Sequence, residues 1–235
     1  MSESRILNIV ITGASSGIGE ATALEMARSG HRFFLVGRDT ERLEKVSKRV
    51  EELGGWAAFG SGDVGVEKDV DRLFDAAVRE IGAIDVLFAN AGVGFFGNLE
   101  DLTVEQFDAQ FRTNVRGVFL WIRKVLPAMK ARNRGQIIAT SSNLSLATSA
   151  RASAYSATKH AVQSMIWCLR EELKGTRVKA ATINPGSVST PWFDGREVDR
   201  SRMLAVEDVA RALRFIIDQS ETSNIDHVLL LPGKS

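Results

Sequence analysis

Residues 12–19 read Thr12-Gly13-Ala14-Ser15-Ser16-Gly17-Ile18-Gly19 and join an apolar, β-branched run, Ile6–Ile11, to a stretch of helical spacing through Ala23, Leu24 and Ala27. The glycines fall in a Gly-x3-Gly-x-Gly pattern. Glycine permits the backbone angles of a tight turn and lets the main chain approach a ligand closely. A turn that opens a helix also offers unpaired N–H groups and the positive end of the helix dipole to an anion. The pattern predicts a strand, a phosphate-cradling turn and a helix. It is not the spacing of a triphosphate loop, which needs Gly-Lys-Ser/Thr after an earlier glycine. Gly233-Lys234-Ser235 carries that ending, but Val228 stands where the glycine is required, so the match reads as chance.

Outward from this turn the same alternation continues. Short apolar runs at Phe33–Val36, Trp56–Phe59, Ile84–Phe88, Gln136–Ala139, Val178–Ile183 and Val228–Leu231 are separated by helical patterns. The helices are expected at Thr40–Leu53, Glu67–Ile81, Thr103–Met129, Ala154–Leu173 and Val206–Asp218. Thr103, with Glu105 and Gln106 close behind, marks a helix start, and Pro127 a kink or break. Strand and helix in strict alternation predict an α/β fold, a doubly wound, mostly parallel seven-stranded sheet with helices on both faces. The pattern never changes, so residues 1–235 read as one domain. The stretch 191–203 lacks apolar periodicity and is rich in charge, and is expected to be a mobile substrate-side segment.

Composition excludes several classes. Thirty basic and 29 acidic side chains leave a net charge of +1, without the basic excess of a nucleic-acid binder. The one cysteine, Cys168, forms no internal disulfide and no cysteine-cluster zinc site, and His31, His160 and His227 are scattered, so no metal is expected. No stretch approaches the roughly 20 apolar residues of a membrane span, and the start Met1–Arg5 is short and polar. A cytoplasmic protein is expected.

The glycine turn, Asn90-Ala91-Gly92 after the fourth strand, and Tyr155-x3-Lys159 together resemble the short-chain dehydrogenase/reductase family, from Ile6 to about Thr190. The resemblance implies a Rossmann-type fold and a nicotinamide cofactor. Gly13, Ser15, Ser16, Gly17, Ile18 and Gly19 would cradle its pyrophosphate. The second strand ends Gly37-Arg38-Asp39, where such folds meet the adenosine ribose. Members that prefer NAD usually carry Asp at the place of Gly37, whereas a guanidinium at Arg38, with Arg42 a turn later, suits a 2′-phosphate. NADP(H) is therefore expected. By the same resemblance Asp63 and the Val64 backbone meet the adenine, and Asn90, Ala91 and Gly92 floor the groove. In Pro185-Gly186-x-Val188-x-Thr190, the Val188 backbone and the Thr190 hydroxyl meet the nicotinamide amide.

Tyr155 is the sole tyrosine, and four residues along a helix place Lys159 on its face. A neighbouring ammonium and an oxidised nicotinamide would both pull a phenol pKa below its usual 10. Ser141 and Ser142 both follow the fifth strand, where a hydroxyl can steady a developing alkoxide. The family's spacing of 13 residues to the tyrosine selects Ser142. Asn114 is an anomaly inside a long helix, where Asn is a weak former, and in similar proteins it holds a water of a proton relay. The expected catalytic set is Asn114, Ser142, Tyr155 and Lys159, transferring hydride between NADP(H) and a carbonyl or secondary alcohol. The alternative is an NADP(H)-binding regulator without catalysis. A nucleotide-sugar epimerase would need a C-terminal substrate domain for which the chain has no room.

Phe95, Phe96, Leu144, Leu146, Trp192 and Phe193 predict an apolar pocket for a small molecule. The resemblance implies a homodimer or homotetramer through the two long helices, with Trp121, Met165 and Trp167 as interface candidates. The ending Asn224–Val228 departs from the glycine-rich last strand of the family, which leaves pairing through that strand in doubt.

Overall fold

Seven strands alternate with helices in the computed structural model, which describes residues 5–195 and 197–233. The strands are β1 (Asn8–Thr12), β2 (Arg32–Gly37), β3 (Trp56–Ser61), β4 (Val86–Ala89), β5 (Gly135–Thr140), β6 (Val178–Pro185) and β7 (His227–Leu230). They form one sheet in the order β3-β2-β1-β4-β5-β6-β7, and every pairing is parallel. The chain winds outward from β1 through β2 to β3, then returns to the other side of β1 with β4. That reversal opens a crevice beyond the carboxyl ends of β1 and β4, where ligands bind in such sheets.

Both faces of the sheet are covered, so the inner strands are apolar on both sides. Alternate residues serve opposite cores, as the two-residue strand period requires. Val10, Phe34 and Val36 pack beneath α3 (Glu67–Ile81), α5 (Gly117–Ala131) and α6 (Ser153–Glu172). Ile9, Ile11, Phe33 and Leu35 pack beneath α1 (Gly17–Ala27), α2 (Thr40–Glu52) and α7 (Val206–Ile217).

The expected helix Thr103–Met129 is three pieces. Thr103 caps α4 (Val104–Gln110), accepting from the Gln106 N–H while the Gln106 side chain accepts from the Thr103 N–H. A π-helical turn, Phe111–Arg116, then leads into α5. One extra residue per turn re-aims the side chains that follow, and Asn114 lies in that turn, which accounts for its odd place in a helical pattern. Pro127 does not break α5, which runs through it to Ala131.

The stretch 191–203 contains two short 3-10 turns, Pro191–Phe193 and Arg200–Arg202, and its base is tied where Val188 pairs with Leu204. Arg196 lies outside the described residues, as do Met1–Ser4 of the polar start and Lys234–Ser235 of the chance C-terminal match. Among the described residues no helix is long and apolar enough to cross a membrane, and no group of three or more His, Cys, Asp or Glu can hold a metal ion.

Candidate active site

The turn after β1 requires its glycines. Gly13 and Gly17 have φ of +65° and +60°, a region L side chains rarely adopt. A Cβ on Gly13 would lie 2.8 Å from Ala91 Cα, and one on Gly19 would lie 2.3 Å from the Gly13 carbonyl oxygen. Helix α1 opens without a capping bond from the Ser16 side chain, so its first N–H groups face the crevice uncapped. The turn is braced from β4. Thr12 Oγ1 accepts from the Asn90 and Ala91 N–H groups at 2.9 and 3.0 Å, and Asn90 Nδ2 donates to the Thr12 and Gly13 carbonyls. Thr140 Oγ1 donates to Asn90 Oδ1 at 3.0 Å. This backbone cradle fits a pyrophosphate and admits no side chain in its place.

At one end of the crevice lies β2. Arg38 is exposed there, and among the described residues no carboxylate is within ion-pair distance of it. Its neighbour Asp39 is engaged instead with Arg42, at 3.2 Å, and caps α2. A Cβ on Gly37 would press Ser15 Oγ and Leu43 Cδ2 at 3.3 Å, so an acidic side chain at 37 is not accommodated without a shift. Asp63 accepts from the Gly65 N–H and pairs with Arg112. Gly117 lets α5 close on Val64, where a Cβ would fall 2.8 Å from Val64 Cγ2. Arg38, Asp63 and Val64 thus line the same crevice, of about 500 Å³, as the glycine turn.

Ser142, Tyr155 and Lys159 line its other end, from the end of β5 and the first turns of α6. Ser142 Oγ accepts from the Leu144 N–H and donates to Asn143 Oδ1, and lies close enough to Tyr155 to influence its phenol. The rival Ser141 is turned away, its hydroxyl donating to the Lys159 carbonyl at 3.0 Å. Lys159 Nζ donates to the Thr140 carbonyl at 2.9 Å and lies 5.7 Å from the Tyr155 ring centre.

The expected acidic phenol is not found in the protein alone. Burial pushes Tyr155 up to about 12, against a smaller downward pull from the Ser142 hydrogen bond. Burial also pulls Lys159 down to about 8. Desolvation disfavours both charged forms, and an ammonium held by a carbonyl does not outweigh it. Tyr155 is thus a protonated phenol at neutral pH, the state of a proton donor.

Asn114 is buried, with every polar atom of its amide engaged. Its Oδ1 accepts from the Val93 N–H at 2.8 Å, and its Nδ2 donates to the Val93 carbonyl at 2.8 Å and to Thr158 Oγ1 at 3.0 Å. The side chain clamps the loop that follows Gly92. Gln110, four residues earlier, accepts from the Phe95 N–H and holds the same loop. Sequence reading missed Gln110, although a second amide on a helical stripe shared with Asn114, Val118 and Trp121 is a legible signal.

Two further amides support Ser142 from behind. Asn184 Nδ2 donates to the Ser142 carbonyl at 3.3 Å, to Ser145 Oγ at 2.7 Å and to Gln163 Oε1 at 2.7 Å. Both residues are buried, and polar groups so deep persist where they hold something in place. Pro185, Gly186, Val188 and Thr190 line the crevice beside this network.

Of the expected apolar wall, Phe96, Leu144, Trp192 and Phe193 line the crevice, joined by Val93 and Val198. Phe95 and Leu146 do not line it and are 36% and 39% exposed. Trp121, an interface candidate, is instead core at 1% exposure, and Met165 packs against the same core. Trp167 is exposed.

Residues 7–200 match the family described as short chain dehydrogenase. An uncharacterised oxidoreductase of Staphylococcus epidermidis is 31% identical over 223 residues, covering 95% of this chain and 96% of the relative. An alcohol dehydrogenase of the archaeon Thermococcus sibiricus, solved with 5-hydroxy-NADP, superposes with a TM-score of 0.92 at 27% identity, covering 98% of each chain. A metagenomic short-chain oxidoreductase solved with NADP gives 0.85 at 30% identity over 97% of this chain and 98% of its own. The match over residues 7–200 and the relatives' coverage of nearly the whole chain place it in the short-chain dehydrogenase family of oxidoreductases.

Proposed function

We propose that this protein reduces a small carbonyl compound with NADPH, or oxidises the corresponding alcohol with NADP⁺, within a single domain. One observation carries the reading: Ser142, Tyr155 and Lys159 together line the far end of the crevice that begins at the glycine turn. Gly13, Ser15, Ser16, Gly17, Ile18 and Gly19 would hold the pyrophosphate, and Asn90, Ala91 and Gly92 the floor. Pro185, Gly186, Val188 and Thr190 would hold the nicotinamide end. Arg38, unpaired with any described carboxylate, would meet a 2′-phosphate, which favours NADP(H) over NAD(H). The two relatives solved with NADP or its derivative agree with that choice.

Bound there, the cofactor supplies hydride to the carbonyl carbon. The Ser142 hydroxyl orients the carbonyl oxygen and steadies charge developing on it. Tyr155 delivers its proton to the same oxygen. Lys159, held on the Thr140 carbonyl, sits beside the phenol and stabilises the phenolate left behind. Asn114, expected from the resemblance to hold a relay water, acts in this reading by keeping the wall Gly92–Phe96 against the pair. Residues 191–195 and 197–203, whose base is tied at Val188 and Leu204, would form the mobile substrate side of the site. Exposed Val104, Phe107, Phe119 and Trp167 suit pairing of copies through the long helices into a homodimer or homotetramer.

The test is NADPH consumption across ketones, aldehydes and quinones, with NADP⁺-dependent alcohol oxidation run alongside. The expected result is NADPH loss matched one to one by alcohol formed, with NADH a poorer donor. Tight NADPH binding without turnover of any carbonyl would replace this reading by that of a cofactor-binding regulator.

A further inference from the structure

Three aromatic rings converge on the reacting end of the crevice. The Phe96 ring centre lies 5.1 Å from that of Tyr155, with planes tilted by 45°. Trp192 stands at 5.9 Å and 89°, in an edge-on arrangement. The rings come from separate places: the loop after β4, the first turn of α6, and the short turn after β6. Gly94 makes the convergence possible. A Cβ there would fall 2.3 Å from Trp192 Cζ2 and 3.1 Å from Phe96 Cε2.

Such rings favour a flat unsaturated partner. Offset and edge-on ring pairs attract beyond the area they bury, each by roughly two- to tenfold in binding. A puckered saturated ring of the same size gains the burial without that extra attraction. Charge points the same way. Among the described residues lining the crevice, the charged ones are Arg38, Asp63 and Lys159. The first two lie by the ends of β2 and β3, and the Lys159 ammonium is held by the Thr140 carbonyl. An anionic tail beside the three rings therefore meets an apolar wall.

We infer that the site takes neutral carbonyl compounds whose carbonyl is attached to a flat unsaturated ring, aryl ketones and aldehydes above all. Trp192 and Phe96, each packed against Tyr155, read the ring, and the missing Cβ of Gly94 leaves room for both. This deepens the reaction proposed above and rests on it for the position of the carbonyl.

Binding is measured on the Tyr155→Phe protein saturated with NADPH, which keeps the ring and lets ligands persist. Acetophenone, cyclohexyl methyl ketone and 4-acetylbenzoate are titrated by calorimetry. Acetophenone is expected to bind at least about tenfold tighter than either of the others. Trp192→Leu and Phe96→Leu, each in that background, are expected to narrow the gap between acetophenone and cyclohexyl methyl ketone to within about threefold and to leave 4-acetylbenzoate weak, with NADPH affinity retained as the check on folding. Equal affinities in the parent, or a preference for acetophenone over the cyclohexyl ketone that survives both replacements, would overturn the inference. Turnover by the wild type separates the two readings. Selective binding without any turnover sinks the reaction and leaves the slot. Turnover without ring preference sinks the slot and leaves the reaction.

Discussion

Replacing Asn114 by Ala removes the clamp between the π-helical turn and the loop after β4. Three hydrogen bonds disappear: to the Val93 N–H, the Val93 carbonyl and Thr158 Oγ1. Thr158 loses least, because its hydroxyl still donates to the Tyr155 carbonyl at 2.7 Å. The cost falls on the two Val93 backbone groups. A buried group left unpaired costs about 1–3 kcal/mol. Val93 is half-buried, so water can reach its groups once the loop shifts, and the low half of that range applies to each. With the cavity left behind, the expected loss is ~2–4 kcal/mol. For a domain of this size that lowers Tm by roughly 5–15 °C. Urea melts at neutral pH measure it. NADPH should still bind to the glycine turn, while KM for the carbonyl substrate rises because Gly92–Phe96 is no longer fixed. Were Asn114 only a holder of water, activity would fall and stability would stay within about 1 kcal/mol of wild type. That outcome would refute the clamp.

The remaining expectations concern charge and the two serines. Lys159 sits near 8, below its ordinary 10.5, so its stabilising contribution is fully present above pH 10.5 and lost as pH falls through 8. Tyr155, raised to about 12, contributes the other way, its share present below pH 10 and lost as pH climbs towards 12. Urea melts between about pH 7.5 and 10 should therefore show wild type gaining ~2 kcal/mol relative to Lys159→Met, and parallel curves would contradict the burial of that ammonium. Arg38→Ser should lower kcat/KM for NADPH by roughly 10- to 100-fold, the worth of a charged hydrogen bond, and leave NADH nearly unchanged; steady-state kinetics with both cofactors decide it. Ser142→Ala should cut kcat by at least about 100-fold, whereas Ser141→Ala, which loses only a bond to the Lys159 carbonyl, should lower stability by about 1 kcal/mol and keep most turnover.

The sheet was legible because both-face burial leaves continuous apolar runs, and each expected strand matches an observed one to within two residues at either end. The glycine turn was legible for a harder reason: Gly13 and Gly19 stand where no Cβ fits. The long helix was misread because apolar spacing cannot register one inserted residue, and the π-helical turn at 111–116 costs the pattern only a small shift. Spacing brings Lys159 near Tyr155 but says nothing of the protein packed around both, whose desolvation raises the phenol when no nicotinamide is bound. The supports of Ser142 were invisible, since Gln163 and Asn184 meet only across a helix and a strand 21 residues apart. Phe95 and Phe96 are adjacent in sequence and both exposed, yet only Phe96 lines the crevice and packs against Tyr155.

In the proposed reduction a single phenol, that of Tyr155, delivers the proton. Tyr155→Phe removes one oxygen and keeps the ring between Phe96 and Trp192. Single-turnover rates with bound NADPH and an excess of a carbonyl substrate isolate the chemical step. The account predicts unchanged NADPH affinity and a rate lower by about 100- to 10,000-fold, the usual worth of a positioned acid. A variant that reduces the substrate within tenfold of wild type would contradict it.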